Sequence, residues 1–510
     1  MQVRDFLEST AARLPEKTAV VCNGRRWTYR EIDTMADCLA QEMIELGVSR
    51  GDRVVIYLNN CIETVVSIFG VLKAGGVFVV VNRATKPDKL AYIVKDCRAA
   101  MLIADAKAAL VPVIETAQDA LSWFRGFIIC GAVEGFSFGR APAMVWQELM
   151  NRGETIRPPA SGIDLDLACL IYTSGTTGEP KGVMSDHSNA VFVSDAIITY
   201  LKNSEDDIVL NVLPLSHGYG LYQLLTMFRL GGTLVLENSF AFPATILKLM
   251  EQERVTGLPG VPTLFAMLLQ VNSLGFDLSA LRYLTNAAAG LPPAHVLELH
   301  RRFPDASLYA MYGLTEVVRA LYLPPEWIEQ KPGSVGIAIP GTEVWLEDAG
   351  RRLGPGEIGE LVVRGRHVMR GYWNAAELSA RRFRQAALPG ERLCYTDDLF
   401  RMDEDGFFYF VGRKDDIIKS RGEKVAPMEV ESVLHELAGV MEAAVIGVPD
   451  PLLGQVVKAF IVRNNSELCE REVLAHCRLR LEDVMIPKLI EFRESLPKSP
   501  TGKVLKRELL

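Results

Sequence analysis

Apolar runs alternate with amphipathic stretches through the first half of the chain. Residues 53–58, 76–81, 101–104 and 233–236 are short apolar runs typical of buried strands, and residues 63–72 carry a helical pattern. Strands that are separated by helices predict parallel sheets with helical cover. We therefore expect an α/β fold in this half of the chain.

The pattern changes from about Glu343. Short apolar runs at 344–346, 360–363 and 407–410 are separated by glycine-rich turns, which predicts an antiparallel, barrel-like piece. Beyond the charged segment 413–424, helical patterns at 428–437 and 470–481 flank strand-like runs at 443–448 and 456–462. Because domain boundaries fall in exposed polar segments, we predict a large N-terminal domain, residues 1–414, and a small α/β domain, residues 415–510.

Composition agrees with a soluble globular protein of more than one domain. The chain has 510 residues, of which 49% are hydrophobic and 23% charged. The net charge of −8 gives no support to nucleic-acid binding. No apolar run reaches the roughly 18 residues of a membrane span, and residues 1–6 lack the apolar core of a signal peptide. Nine cysteines without a CxxC pair favour reduced thiols, so a cytoplasmic location is expected.

One glycine- and hydroxyl-rich stretch follows directly after the apolar run 167–171. It reads Tyr172-Thr173-Ser174-Gly175-Thr176-Thr177-Gly178-Glu179-Pro180-Lys181-Gly182. Glycines let backbone N–H groups approach an anion, hydroxyls add donors, and the lysine adds a charge. This chemistry favours polyphosphate binding over an ordinary flexible turn, although no Gly-Lys-Ser/Thr tripeptide of a Walker A loop is present.

Six further motifs follow the same order as in one known family. They are Lys73-Ala74-Gly75-Gly76, Leu213-Pro214-Leu215-Ser216-His217, Tyr312-Gly313-Leu314-Thr315-Glu316, Tyr395-Thr396-Asp397-Asp398-Leu399, Gly412-Arg413-Lys414-Asp415 and Pro497-Lys498-Ser499-Pro500-Thr501-Gly502-Lys503. With the phosphate loop, the chain resembles the adenylate-forming enzymes: acyl-CoA synthetases, peptide-synthetase adenylation domains and luciferases. The resemblance implies a ligase that converts a carboxylic acid and ATP to acyl-AMP and pyrophosphate, with Mg²⁺. It also implies acyl transfer to a thiol, that of CoA or of the phosphopantetheine on a carrier protein.

The resemblance assigns the phosphate site to particular residues. Glu316 would hold Mg²⁺, since a hard cation needs oxygen ligands, and Thr315 would contact the α-phosphate. The β- and γ-phosphates would be held by Thr173, Ser174, Gly175, Thr176, Thr177, Gly178 and Lys181.

The nucleoside site is implied in the same way. Tyr312 would stack on adenine, and Ala288, in the small-residue segment 286–290, would lie against adenine and the acyl carbonyl. Asp398 would accept the ribose hydroxyls, and Arg413 would support the ribose and phosphates. The family's usual Thr-Gly-Asp is Thr-Asp-Asp here. Aspartate tolerates positive φ, so the turn can survive, and Asp397 is an alternative ribose ligand.

A mobile lid is implied for the C-terminal domain. Lys503 would enter the site when the lid closes and bridge the carboxylate and the α-phosphate. Rotation about Asp415 would then remove Lys503 and bring the loop near Gly422 to line the pantetheine path.

The acid-binding pocket is expected to contain His217. Peptide-synthetase domains that take α-amino acids usually carry an aspartate at this place, which pairs with the ammonium group. His217 and its neutral neighbours therefore favour an uncharged aliphatic or aromatic carboxylic acid. The alternative is a packed histidine that shapes the pocket without touching the acid.

Three other functions share parts of these patterns. Residues 135–139, Gly-Phe-Ser-Phe-Gly, match the nucleophile elbow of serine hydrolases, but Pro142 interrupts the helix that an elbow requires. A stand-alone carrier-protein ligase would share every motif with a CoA ligase. A catalytically silent relative is disfavoured because Lys181, Glu316 and Lys503 are all present.

Overall fold

The structure is a computed structural model in which four β-sheets are flanked by helices. It describes the whole chain except residues 109, 120–121, 132–137, 139, 152–155, 174–178, 272, 274, 421–422, 451, 464–467, 499–503 and 510. The described α-helices are Arg4–Arg13, Tyr29–Glu45, Ile62–Lys73, Pro87–Asp96, Val111–Asp119, Trp146–Met150, His187–Leu201, Gly218–Leu230, Pro243–Glu253, Pro262–Gln270, Pro293–Arg302, Ala376–Arg382, Pro427–His435 and Glu470–Arg478. Short 3₁₀ helices span Pro325–Trp327 and Lys506–Leu509.

A seven-stranded, mostly parallel sheet contains the first predicted strands. In spatial order its strands are Ala143–Val145, Gly126–Cys130, Ala99–Asp105, Arg53–Tyr57, Val77–Val80, Leu167–Thr173 and Lys181–Asp186. Only the last pair is antiparallel. The predicted α/β pattern is confirmed here, and the helix predicted at 63–72 is Ile62–Lys73.

A nine-stranded sheet forms the other parallel layer. Its spatial order is Ile337–Ala338, Leu321–Tyr322, Ser307–Tyr312, Tyr283–Asn286, Gly257–Gly260, Ile208–Asn211, Thr233–Leu236, Thr18–Cys22 and Arg25–Thr28. The six strands from Ser307–Tyr312 to Thr18–Cys22 are parallel. Ligands bind at the carboxyl ends of such strands, where the motifs that begin at 213 and 312 follow.

An antiparallel sheet of six strands confirms the barrel-like piece predicted after Glu343. Its strands are Glu343–Asp348, Arg351–Arg352, Ile358–Arg364, Phe383–Gln385, Arg392–Met402 and Phe408–Arg413. The remaining sheet contains Ile418–Ser420, Glu423–Val425, Val440–Asp450, Gly454–Arg463 and Leu489–Arg493. It packs with the helices Pro427–His435 and Glu470–Arg478, in agreement with the small α/β unit predicted from the sequence.

The buried apolar clusters divide along the chain. The buried residues of three clusters all lie within residues 3–408. The buried residues of two smaller clusters lie within residues 418–509. Asp415 lies between them, exposed, in the turn between two strands.

The first motif of the chain is a helix terminus. The helix Ile62–Lys73 ends where Gly75 adopts φ +77°, and the amides of Gly75 and Gly76 donate to the carbonyls of Leu72 and Val71. A β-carbon at Gly75 would also lie 2.8 Å from the Ser161 hydroxyl. Glycine is therefore required there for both conformation and space.

No described helix is long and apolar enough to cross a membrane. The nine cysteine sulfurs form no disulfide in the described chain.

A buried ion network fixes the helix Ile62–Lys73 to the helix Tyr29–Glu45. Lys73 is 2% exposed, and its ammonium lies 2.5 Å from the carboxylates of both Asp33 and Asp37. Arg157 contacts the same two carboxylates from the solvent side. Lys73 inside the core and the half-exposed Arg157 together neutralise the two carboxylates.

Lys73→Met should lower the free energy of unfolding by about 3–5 kcal/mol, because it leaves two buried carboxylates with one partly exposed cation. Denaturant-induced unfolding measures the loss. The matched control is Arg50→Met, which removes the largely exposed pair with Asp166 and should cost at most about 1 kcal/mol. Equal losses in the two variants would contradict the importance of this network.

Candidate active site

The predicted phosphate loop connects two paired strands. Leu167–Thr173 and Lys181–Asp186 are antiparallel, and Thr173 pairs directly with Lys181. Both side chains are half-buried, and as a cross-strand pair they project from the same face of the sheet. Residues 174–178, which include the predicted ligands Ser174 to Gly178, lie outside the described residues. The strands hold Thr173 and Lys181 at the two ends of the loop.

Asp398 connects the parallel and antiparallel sheets. Tyr312, at the end of its strand, donates its hydroxyl to Asp398 Oδ2 at 2.6 Å, and Arg413 Nε donates to Asp398 Oδ1 at 3.1 Å. Asp398 and Arg413 are also directly paired across two strands. The Tyr312 ring packs edge-on against Phe400, with centroids 4.8 Å apart. Burial, then the charge of Asp398, raises the Tyr312 pKa well above its usual value, so the phenol keeps its proton.

Asp397 occupies a different environment from its neighbour. It adopts φ +52°, so aspartate does replace glycine in a left-handed turn, as predicted. Its side chain is 60% exposed and pairs with Arg382, whereas Asp398 is buried between Tyr312 and Arg413. Of the two acids, Asp398 lies against the predicted adenine-stacking ring.

Glu316 is a buried carboxylate with two neighbours from distant parts of the chain. Tyr372 donates its hydroxyl to Glu316 Oε1 at 2.5 Å, and Arg382 Nε lies 3.9 Å from the same oxygen. Arg382 thereby links Glu316 to Asp397. Burial, then the negative charge of Glu316, raises the Tyr372 pKa, which keeps this hydroxyl a donor.

The surroundings of Glu316 fit a magnesium ion that is held mainly by phosphates. No group of three His, Cys, Asp or Glu side chains that could cage a metal occurs among the described residues. Mg²⁺ at nucleotide sites typically takes one or two carboxylates, with water and phosphate as the other ligands. Glu316 supplies one carboxylate, and Thr315 precedes it in the same turn.

His217 stands immediately before the helix Gly218–Leu230. Its Nε2 is buried without a hydrogen-bond partner, and burial lowers its pKa to about 4, so the imidazole is neutral at pH 7. Ser216 Oγ and Asn286 Oδ1 are likewise buried and unpartnered. Polar atoms that are buried without a partner are groups that a bound molecule can satisfy.

Ala288 is exposed beyond the strand Tyr283–Asn286 and has φ +73°, which turns the chain at the carboxyl ends of the sheet. The predicted ligands Gly422 and Lys503 lie outside the described residues. The serine of the hydrolase-like pentapeptide 135–139 also lies outside them.

Three site residues were not predicted from the sequence. Tyr372 donates a hydrogen bond to Glu316, and Arg382 forms an ion pair with it. Arg319 is buried beside the first turn of the helix that follows His217. The glycine–aromatic sequence Gly371-Tyr372-Trp373 could have indicated Tyr372. Arg382 ends a short helix with no distinctive pattern, and Arg319 stands alone among apolar residues.

Two protein-family models match the chain. The AMP-binding enzyme model matches residues 7–373, and the model of the AMP-binding enzyme C-terminal domain matches residues 429–503.

Relatives and solved structures match over nearly the whole chain. The long-chain-fatty-acid–CoA ligase of Bacillus subtilis (strain 168) is 33% identical over 536 residues, which cover 100% of this chain and 94% of that protein. The feruloyl-CoA synthase of an Amycolatopsis species is 34% identical, and the match covers 97% of this chain and 96% of that protein. An anthranilate CoA ligase in complex with anthranoyl-AMP superposes with a TM-score of 0.89 at 28% identity. The superposition covers 100% of this chain and 96% of that ligase.

The o-succinylbenzoate coenzyme A synthetase of Bacillus subtilis, in complex with ATP and magnesium ion, superposes with a TM-score of 0.84 at 26% identity and covers 99% of both chains. The sequence motifs, the fold and the two family models agree, and this chain belongs to the AMP-binding enzyme family.

Proposed function

We propose that this chain is an AMP-forming acyl-CoA synthetase. It joins a carboxylic acid to the α-phosphate of ATP, releases pyrophosphate, and passes the acyl group to the thiol of CoA. The observation that carries the proposal is the buried pair Tyr312–Asp398, held by Arg413 beside the Glu316 carboxylate. These groups suit a nucleoside and its metal-bound phosphates.

The first half-reaction brings two anions together. A carboxylate oxygen forms a bond to the α-phosphorus while the bond to the pyrophosphate oxygen breaks. Lys181 and Thr173 hold the β- and γ-phosphates, and Thr315 donates to the α-phosphate. Mg²⁺ on Glu316 would offset further phosphate charge.

The nucleoside half is held by Asp398. Its two oxygens accept the ribose hydroxyls, while the Tyr312 hydroxyl keeps the carboxylate in place and Arg413 both holds and neutralises it. Tyr312 presents its ring to adenine, and Ala288 lies along the opposite edge. Because Tyr312 is itself fixed by Phe400 and Asp398, the ring needs little ordering when the nucleotide binds.

The small domain, residues 415–510, acts as a lid that turns about Asp415. In one position Lys503 bridges the carboxylate and the α-phosphate. Two unit charges about 4 Å apart contribute roughly 4 kcal/mol at an effective dielectric near 20. The exposed turn at Asp415 and the separate buried clusters on either side of it support the hinge.

In the other position, Gly422 lines the path of the pantetheine arm. The thiol gives up its proton, its sulfur bonds to the acyl carbonyl carbon, and the bond to AMP breaks. CoA is favoured over a carrier protein because the relatives named above are CoA ligases and synthases. A cytoplasmic location, where ATP and CoA are plentiful, is part of the proposal.

The acid carries no α-ammonium group. His217 is neutral at pH 7 and pairs with no acid among the described residues, so an ammonium group beside it would be buried without a counter-charge. Such burial costs several kcal/mol. That cost corresponds to a factor of roughly a thousand or more in binding.

Pyrophosphate release should depend on an acid, ATP and Mg²⁺, and acyl-CoA should form only when CoA is present. In a panel of fatty, aryl and amino acids, kcat/KM should favour each des-amino acid over its α-amino counterpart by about a thousandfold, for the reason just given. The assay is repeated with a phosphopantetheinylated carrier protein in place of CoA. Pyrophosphate release with no acid tested, or efficient loading of the carrier but not of CoA, would overturn the proposed reaction.

Asp398→Asn should raise the KM for ATP by about 10- to 100-fold, because hydrogen bonds to a charged group contribute about 1.5–3 kcal/mol. Asp397→Asn is the matched control, since it makes the same chemical change one residue away, and asparagine tolerates the positive φ. Its KM for ATP should stay close to that of the wild type. If Asp397→Asn had the larger effect, the ribose contact would belong to Asp397.

Lys503→Ala should slow acyl-AMP formation by about 10²- to 10³-fold, as expected when one preorganised contact to developing charge is removed. The same variant should transfer the acyl group normally when it is given preformed acyl-AMP and CoA, because the lid has then turned Lys503 away. Rapid-quench measurement of each half-reaction separates the two effects. Similar losses in both half-reactions would rule out the lid assignment.

A further inference from the structure

One arginine is buried at the carboxyl ends of the parallel strands without an acidic partner. Arg319 is 3% exposed, and one terminal nitrogen donates to the Val318 carbonyl oxygen at 3.0 Å. Its Nε is buried and has no hydrogen-bond partner. Across the part of the chain that the structure describes, no carboxylate lies within 4.0 Å of this guanidinium.

The guanidinium lies beside the expected acid-binding pocket. Its Cζ is 4.5 Å from the ring centroid of Tyr219, two residues after His217. The Tyr219 hydroxyl is hydrogen-bonded to Thr285, which comes just before Asn286. Arg319 therefore lies beside the first turn of the helix Gly218–Leu230, which begins directly after His217.

A strained turn holds Arg319 in this position. Val318 has φ +59° although it is β-branched and buried, and its amide bonds to the Leu314 carbonyl at 2.6 Å. The Arg319 amide donates to the Val317 carbonyl, also at 2.6 Å. Such a backbone costs of order 1–3 kcal/mol and persists where the surroundings enforce it, commonly at ligand sites.

Aromatic rings compensate the buried charge only in part. The face of Tyr219 attracts a cation, most strongly when the pair is shielded from water. Burial raises the pKa of Tyr200 to about 12, whereas the positive charge of Arg319 and a side-chain hydrogen bond between the two residues oppose that rise, so Tyr200 is a second aromatic partner of the guanidinium. Removing an unpaired charge from water still costs several kcal/mol, which a bound anion would offset.

We propose that Arg319 binds a second carboxylate on the acid substrate, at the end remote from the carboxylate that is adenylated. The substrate is therefore a dicarboxylic acid, and Arg319 determines its selection. This inference rests on the proposed acyl-CoA synthetase function. It changes the expectation of an uncharged acid: an ammonium group stays excluded, but the acid carries a second negative charge.

The test compares α,ω-dicarboxylic acids of three to ten carbons with monocarboxylic acids of equal length. For the wild type, kcat/KM for pyrophosphate release should be at least about 100-fold higher for the best diacid than for its monoacid. Arg319→Met, which keeps length and removes charge, should lower the diacid value by about 10²- to 10³-fold. It should lower the monoacid value much less, so that the diacid-to-monoacid ratio of kcat/KM falls. Arg319→Lys should restore part of the preference.

Outcomes separate this inference from the proposed function. Activity on monoacids without a diacid preference in the wild type would overturn the role of Arg319 alone, as would an equal loss on both substrates in Arg319→Met. If no acid supports pyrophosphate release, the proposed function fails, and calorimetric titration decides the inference. Binding of at least one of the diacids to the wild type but not to folded Arg319→Met would support it, and the absence of diacid binding to the wild type would overturn it.

Discussion

The candidate active site depends on the Asp398 carboxylate, which is bonded to residues of two different sheets. Asp398 belongs to the antiparallel sheet, yet its oxygens are held by Tyr312, at the end of a parallel strand, and by Arg413, on the neighbouring antiparallel strand. A buried carboxylate has to be partnered, so the two sheets are fixed relative to one another at this point. Glu316, four residues after Tyr312, is thereby placed next to Arg382 and the turn at Asp397.

Local patterns predicted most of the elements. The run 233–236 is the strand Thr233–Leu236, and the helix predicted at 63–72 extends by one residue at each end. Such segments are buried along their whole length between polar or glycine-containing ends, so their pattern is strong. The phosphate loop was also predictable, because its hydroxyls, glycines and lysine are contiguous and follow a strand.

Contacts between distant segments could not be predicted in this way. Glu316 and Tyr372 are 56 residues apart, and neither carries a local signal for the other. The choice between Asp397 and Asp398 was open because both follow Thr396, and only the fold buries one and exposes the other. The resemblance supplied the expected roles of residues but not the side chains that hold them in place.

Motif residues and neighbouring residues therefore carry different kinds of information. Tyr312, Glu316 and Asp398 are the residues proposed to serve the nucleotide, which is common to every substrate acid. The turn after Glu316 breaks two local rules at once, since Val318 is a β-branched residue at positive φ and Arg319 is a buried charge with no carboxylate within 4.0 Å among the described residues. Sites where local preferences fail in this way are commonly functional. Because Arg319 contacts the helix that follows His217, we assign this turn to the recognition of the acid, the reactant in which members of such a family differ.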